Sequence, residues 1–236
     1  MKKLLIALLF APLTVFASDE GAYLDKAPVN LSDYPSIQRG AKIFTNYCLS
    51  CHSAEYMRYN RMVDIGLTKE QIKKNLMFAT DNVGSTMKIA MRPDDAKKWF
   101  GVPPPDLSVI ARSRTPDWIY TYLRSFYLDD SRPTGWNNTV FANVGMPHVL
   151  WTLQGEQVLK KSGVDGSKPV FELVKQGKLT PVEYDATVGD LVNYLTWMSE
   201  PSKMKRLETG VYVLLFLGIF FILTYFLKKE FWKDVH

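Results

Sequence analysis

An uncharged apolar run near the C-terminus constrains this chain of 236 residues more than any other feature. No residue from Gly210 to Leu227 carries a charge, and as a helix the run would be roughly 27 Å long, close to the thickness of a bilayer core. Tyr212 and Tyr225 lie near its two ends, where aromatic rings favour the interface. Because lipid offers backbone N–H and C=O groups no partner, we predict one transmembrane helix over residues 207–227.

The N-terminus has the layout of a secretory signal peptide. Lys2 and Lys3 precede a short apolar run, and Ala17 stands before a polar stretch at a plausible cleavage point. The run is too short to span a bilayer and contains Pro12, so we predict a signal peptide over residues 1–17 rather than a first transmembrane helix.

Export also predicts the orientation, which charge alone does not, because basic residues flank both ends of the C-terminal run. Residues 18–206 would form an exported domain, and residues 228–236 a cytoplasmic tail. The predicted location is the inner membrane of a bacterium, with the domain on the periplasmic side.

Net charge excludes one class of partner. The chain carries +5, and loss of Lys2 and Lys3 with the signal peptide leaves about +3. The remaining basic residues are scattered rather than gathered on one dense face, so we expect no nucleic acid as a partner.

The exported domain reads as largely helical, with long loops. Thr68 and Gln71 form a capping box, Pro116 stands at a favourable first helical position, and Pro201 ends an apolar helical stripe. The predicted helices cover residues 36–47, 69–79, 115–126 and 185–200. Residues 170–174 and 179–184, on either side of Gly177, are predicted to form a small hairpin. Residues 103–105 are all proline and predict an extended segment.

The only two cysteines belong to one motif, Cys48-Leu49-Ser50-Cys51-His52. C-x-x-C-H is the attachment signature of a c-type haem. Two thiols about one helical turn apart can each add to a vinyl group of one porphyrin, and His52 can then be the proximal iron ligand. The motif therefore predicts one covalently bound haem c.

Two other uses of a cysteine pair fit less well. A redox C-x-x-C would not need His52 and would favour a βαβ context that the sequence does not show. A zinc site would need further ligands, and only His148 and His236 remain, the latter on the predicted cytoplasmic tail.

The second iron ligand stays open when only the residues are considered. Met57 and Met62 follow the motif too closely to cross the haem, whereas Met146 lies in a stiff Gly-Met-Pro loop far along the chain. Met146 is therefore preferred, ahead of Met87 and Met91. His148 is the rival, and we interpret it as an ordinary loop histidine.

The ordered motifs resemble the cytochrome c1 family, the haem subunits of quinol–cytochrome c oxidoreductases (respiratory Complex III). The likeness covers nearly the whole mature chain. It rests on Arg39-Gly40, Cys48–His52, Pro104–Ser108 with Arg112 and Arg114, Asn143–Pro147, Glu183–Asp185 and Trp197–Pro201, followed by the single span. The order of these motifs is far more specific than C-x-x-C-H alone.

The resemblance implies a ligand set and a fold. Met146 would be the distal iron ligand, the carbonyl of Pro105 would accept a hydrogen bond from His52, and Arg114 would pair with a haem propionate. The fold would be all-α, a class I cytochrome c-like haem domain with insertions plus one C-terminal transmembrane helix. The helix after Asp185 would cross the first helix at Gly40.

The resemblance also implies partners and a role. The chain would pass single electrons from an iron–sulfur protein to a cytochrome c, beside a cytochrome b subunit and membrane lipid, and would not be an enzyme by itself. Its acidic residues are scattered, which leaves the docking face for the acceptor open. A membrane-anchored haem peroxidase or haem sensor is the alternative function.

Overall fold

The computed structural model describes residues 22–162 and 167–234. The predicted signal peptide lies outside these residues. The longer helices are α1 (Tyr34–Ile43), α2 (Lys69–Leu76), α3 (Pro93–Phe100), α5 (Pro116–Arg124), α7 (Pro181–Ser199) and α8 (Lys203–Phe231), and the short ones are α4 (Ile110–Ser113) and α6 (Trp151–Gln154). A π-helical turn follows α1 at Phe44–Cys48, and a 3-10 helix covers Tyr59–Ile65.

Helix α1 crosses α7 at a glycine. A Cβ on Gly40 would overlap the backbone of Asp190 and lie 2.7 Å from Cβ of Tyr194, so only glycine allows this approach. The expected crossing at Gly40 is confirmed. Asp190 also joins the two helices through its side chain, which accepts hydrogen bonds from Ser36 at 2.6 Å and Arg39 at 2.8 Å.

The core surrounds this crossing. Its fully buried side chains come from the helices and from the loops around them: Ile37, Phe44, Met57, Tyr59, Met62, Ile65, Ile72, Met87, Phe126, Leu150, Tyr184 and Tyr194. The predicted apolar stripe is confirmed, because Val188, Leu191, Val192, Leu195 and Met198 are all buried.

The predicted capping box is present, but the helix that it starts ends earlier than predicted. Thr68 accepts a hydrogen bond from the backbone N–H of Gln71, whose side chain accepts one from Thr68. Helix α2 ends at Leu76 rather than at residue 79, because Met77 takes an extended conformation. Helix α5 starts at Pro116 as predicted and ends at Arg124, two residues before the predicted end.

The predicted hairpin has the wrong second strand. Strand β6 (Val170–Gln176) pairs antiparallel with β5 (Gly155–Lys161), which precedes it. Residues 181–184 belong to α7, because Thr180 caps that helix with Glu183 in a second capping box. The helix consequently begins four residues before the predicted start.

An all-α fold is not confirmed. Besides β5–β6, the described residues contain two short antiparallel pairs: β1 (Ala54–Arg58) with β2 (Thr86–Met87), and β3 (Phe126–Leu128) with β4 (Trp136–Asn138). Each pair lies within the long loops between helices, where extended backbone satisfies its N–H and C=O groups by local pairing.

Arg124 joins the N-terminal segment to α7. Its guanidinium donates to Asp25 and Asp185, each at 2.8 Å, and lies over the ring of Tyr120. Burial raises the pKa of Asp25, but hydrogen bonds from Lys168 and Arg124 together outweigh burial and lower it.

Helix α8 is the one helix among the described residues that is long and apolar enough to cross a membrane. It extends beyond the predicted span of residues 207–227 at both ends. Its apolar side chains are exposed along its length, as expected of a surface that faces lipid.

Candidate functional site

The cysteine motif lies where α1 widens and turns. The π-helical turn ends at Cys48, and the carbonyl of Cys48 then accepts hydrogen bonds from the backbone N–H groups of Cys51 at 3.0 Å and His52 at 2.8 Å. This tight turn brings both sulfurs and the imidazole to the wall of a single cavity. Widened turns of this kind are frequent at functional sites.

The cavity has a volume of about 360 Å³ and an almost entirely apolar wall. Besides the motif, its lining includes Phe100, Val102, Pro104, Leu107, Ile110, Ile119, Leu123, Val144, Val149, Leu191 and Leu195. Met146, Pro105 and Arg114 line it as well. The structure therefore brings all six predicted site residues to one cavity.

His52 is oriented by the proline segment. Its Nδ1 lies 2.8 Å from the carbonyl oxygen of Pro105, the contact that the resemblance implies. With Nδ1 as donor, Nε2 keeps its lone pair for a metal. The pKa of His52 is lowered by burial, which outweighs the opposing effect of the Pro105 carbonyl. The neutral imidazole required of a ligand is thus favoured.

The proline segment is itself fixed to the chain that follows the motif. Leu107 donates its backbone N–H to the carbonyl of Ser53 at 2.8 Å. Glu55 donates its backbone N–H to the carboxylate of Asp106, also at 2.8 Å. These bonds hold Pro105 at a set distance from His52.

Met146 reaches the cavity from a loop held by asparagines. Asn143 adopts a left-handed conformation (φ 60°), and its N–H donates to the side chain of Asn137 at 2.8 Å. The sulfur of Met146 accepts a hydrogen bond from the hydroxyl of Tyr122 at 3.3 Å. Burial raises the pKa of Tyr122, so this hydroxyl is protonated.

The two arginines differ in position. Arg114 lines the cavity, and its guanidinium lies 5.2 Å from the centre of the Trp118 ring. Arg112 is not among the described residues that line the cavity. Arg114 is therefore the better placed of the two to meet an acidic group at the cavity.

The rival ligands lie elsewhere in the described structure. Met87 is fully buried against the hydroxyl of Tyr194, and neither it nor Met91 is among the cavity-lining residues. His148 is buried, stacked on Phe126 with ring centroids 4.9 Å apart, and is also absent from that lining. Burial lowers the pKa of His148 to about 4, which keeps its ring neutral.

Sequence reasoning missed Tyr122. Its position on α5 predicts only a buried aromatic residue, and no local pattern links it to a methionine far along the chain. The sequence does not predict the aromatic packing around it either, in which the rings of Trp118 and Tyr122 stack with centroids 4.8 Å apart.

The residues present fit a c-type haem. Two thiols one turn apart, an oriented imidazole, a thioether and a cation all meet at one apolar cavity, and each has a role toward such a group. Cys48 and Cys51 would form the thioether links, His52 and Met146 would ligate the iron, and Arg114 would meet a propionate.

Comparison with known proteins finds relatives over nearly the whole chain. A family model described as the Cytochrome C1 family matches residues 23–235. The chain is 52% identical to a cytochrome c1 of Allochromatium vinosum over the full length of both proteins. It is 50% identical to a Nitrosomonas europaea protein named ammonia monooxygenase gamma subunit, over 100% of this chain and 99% of that one.

A solved structure of a hyperthermophilic respiratory Complex III aligns with the whole of this chain, and the whole of that chain is covered, at a TM-score of 0.45 and 14% identity. That likeness is too distant to carry an argument. The family model and the Allochromatium vinosum relative cover nearly all of the sequence, and they suffice. The chain belongs to the cytochrome c1 family.

Proposed function

We propose that this chain is the membrane-anchored haem subunit of a quinol–cytochrome c oxidoreductase in a respiratory chain. It would receive single electrons from an iron–sulfur protein and pass them to a cytochrome c. One observation carries the proposal: Cys48, Cys51, His52 and Met146 line the same apolar cavity in a chain of the cytochrome c1 family.

The haem, when bound, supplies an iron that gains and loses one electron. The protein would hold that group in place. Cys48 and Cys51 would attach it covalently, Pro105 would fix the ring of His52, and His52 and Met146 would ligate the iron. Two fixed ligands would keep the rearrangement between the two oxidation states small, and a thioether ligand favours a higher potential than a second histidine would.

The apolar wall has a separate task. By keeping water away from a bound haem, it would make the ferric charge harder to solvate, which also favours a higher potential. Arg114 would balance the charge of a propionate at the cavity. Electron transfer itself then needs no proton and no covalent step from these residues.

Helix α8 would fix this domain to the membrane beside a cytochrome b subunit. The signal peptide predicted over residues 1–17 would place the haem domain on the periplasmic side of a bacterial inner membrane, with residues 228–236 in the cytoplasm. The mild basicity of the chain and the scatter of its basic residues along the sequence support a role without nucleic acid.

A haem peroxidase is supported less well. A peroxidase needs an open axial position and a nearby acid–base group. Met146 lies at the cavity, and His148 is stacked on Phe126 instead.

Purification from native membranes in mild detergent tests the proposal. We expect a six-coordinate, low-spin haem with a methionine–iron absorption band, and co-purification of a cytochrome b and an iron–sulfur protein. A five-coordinate, high-spin haem would overturn the carrier function in favour of an enzyme. A low-spin haem protein that purifies alone would overturn the assignment to this complex.

A further inference from the structure

Among the described residues, the hydroxyl of Tyr122 is the one polar group that donates a hydrogen bond to the sulfur of Met146. We propose that Tyr122 is a positioning residue for the axial methionine, which orients the sulfur and weakens its donation to iron. The inference rests on the proposed function, because it takes Met146 as the iron ligand. It adds a residue that sets the reduction potential.

The aromatic ring of Tyr122 is held on two sides. Trp118 stacks on it with planes 12° apart, and Phe126 meets it edge-on with centroids 5.0 Å apart. The residue is 9% exposed and belongs to helix α5. With ring and backbone both fixed, the hydroxyl oxygen has little freedom apart from rotation of its proton.

The backbone of Tyr122 is tied to the loop that carries the methionine. Its carbonyl accepts a hydrogen bond from Asn138 Nδ2 at 2.8 Å, and Oδ1 of the same asparagine accepts from Val140 N–H at 2.9 Å. Asn138 is almost fully buried. Helix α5 and the loop leading to Met146 are therefore joined at Tyr122, which sets the hydroxyl-to-sulfur distance of 3.3 Å from both sides.

The chemistry of a thioether makes this contact consequential. The sulfur has two lone pairs, so one can ligate iron while the other accepts a hydrogen bond. A donor on the second lone pair draws electron density from the sulfur, which makes it a poorer donor to ferric iron. Hydrogen bonds to a ligating sulfur are among the interactions that tune such sites. Tyr122 should therefore raise the reduction potential.

Tyr122→Phe in the full-length, haem-loaded protein is the direct test. It removes the hydroxyl and keeps the ring that packs on Trp118. We expect a lower reduction potential by spectroelectrochemical titration and a shifted methionine–iron band, with covalent haem retained. Tyr120→Phe is the matched control: it removes a hydroxyl from the same helix at a residue that faces Arg124 and is not among the cavity-lining residues.

A second comparison separates the hydrogen bond from simple packing. A histidine nitrogen that ligates iron has no second lone pair. In a Met146→His background, Tyr122→Phe should therefore leave the potential unchanged. A drop of the same size in both backgrounds would mean that Tyr122 acts only by filling space, and would overturn the inference.

The outcomes distinguish this inference from the function on which it rests. If the unmodified protein lacks a methionine–iron band, the ligand assignment fails. If that band is present and Tyr122→Phe changes neither the band nor the potential, the function stands and the role of Tyr122 is wrong. Loss of the band in Tyr122→Phe, with haem and melting temperature retained, would show that the hydroxyl holds the sulfur in place.

Discussion

Gly40 lies directly against the backbone carbonyl of Asp190, with no space for a side chain between them. The contact is where α1, which leads into the cysteine motif, crosses α7, which supplies Leu191 and Leu195 to the cavity. Packing at one glycine therefore sets the position of the cysteine motif relative to the wall of the cavity that α7 supplies.

Gly40→Ala should force the two helices apart. Overpacking a core typically costs about 1–3 kcal/mol, and a clash with backbone should reach the upper end of that range because backbone cannot move aside as a side chain can. Denaturant unfolding of the full chain in detergent measures the loss. Lys42→Ala on the exposed face of α1 is the control and should change stability by less than about 0.5 kcal/mol. Equal stabilities would show that the crossing is looser than described.

Met146→Leu should keep the haem attached and remove the methionine–iron absorption band. Leucine fills similar space but has no lone pair, so the potential should fall sharply as water or another group takes the position. Met87→Leu is a matched control, since Met87 is fully buried and is not among the cavity-lining residues. A band that survives Met146→Leu, or disappears in Met87→Leu, would move the ligand away from residue 146.

Cys51→Ala should leave a chain with one thioether link or none. Each cysteine sulfur would hold one side of the same porphyrin, so the motif cannot lose a thiol and keep the double link. The visible spectrum of the denatured haem adduct in pyridine measures the number of saturated vinyl groups. Ser50→Ala, an exposed position inside the motif, should leave that spectrum unchanged. A doubly linked haem in Cys51→Ala would contradict the attachment.

Asp25→Asn should weaken the domain at neutral pH and make no difference in acid. The folded-state pKa of Asp25 is lowered, so its carboxylate stabilises the fold above the unfolded value near pH 4 and loses that effect as pH falls through the folded pKa. We expect the free energy of unfolding to fall by on the order of 1 kcal/mol at pH 7. The loss is small because the ion-pair network with Arg124 is partly exposed.

The measurement is the unfolding midpoint of both forms from about pH 7 to about pH 3, a range that includes the unfolded pKa of an aspartate. The exposed Asp130 supplies the control, since Asp130→Asn should have no comparable effect at any pH. A deficit that grows toward low pH would contradict the linkage.

Local signals in the sequence predicted what depends on neighbours along the chain. The capping box at Thr68 and the start of α5 at Pro116 each arise from a few adjacent residues, and both are confirmed. The apolar run near the C-terminus lies in a helix that is long and apolar enough to cross a membrane. The second capping box, Thr180 with Glu183, also arises from adjacent residues, and it starts α7 where a strand is predicted. This one local signal accounts for the difference in both the hairpin and the start of α7.

Pairings between distant segments could not be predicted in the same way. Strand β6 pairs with β5, and no local pattern in either strand indicates which segment it pairs with. The contact between Tyr122 and Met146 is of this kind too. The six predicted site residues came from a motif and from family resemblance, and the structure adds that they share one cavity. Their roles as ligands stay predictions.

Covalent attachment of a single haem at Cys48 and Cys51 is the central claim, and the intact mass of the mature chain tests it most directly. The purified protein is denatured and extracted with acid and acetone, and its intact mass is then measured by mass spectrometry. We predict a chain without residues 1–17 that is heavier by one haem and keeps its colour. A colourless chain at the mass of the polypeptide alone would contradict the account.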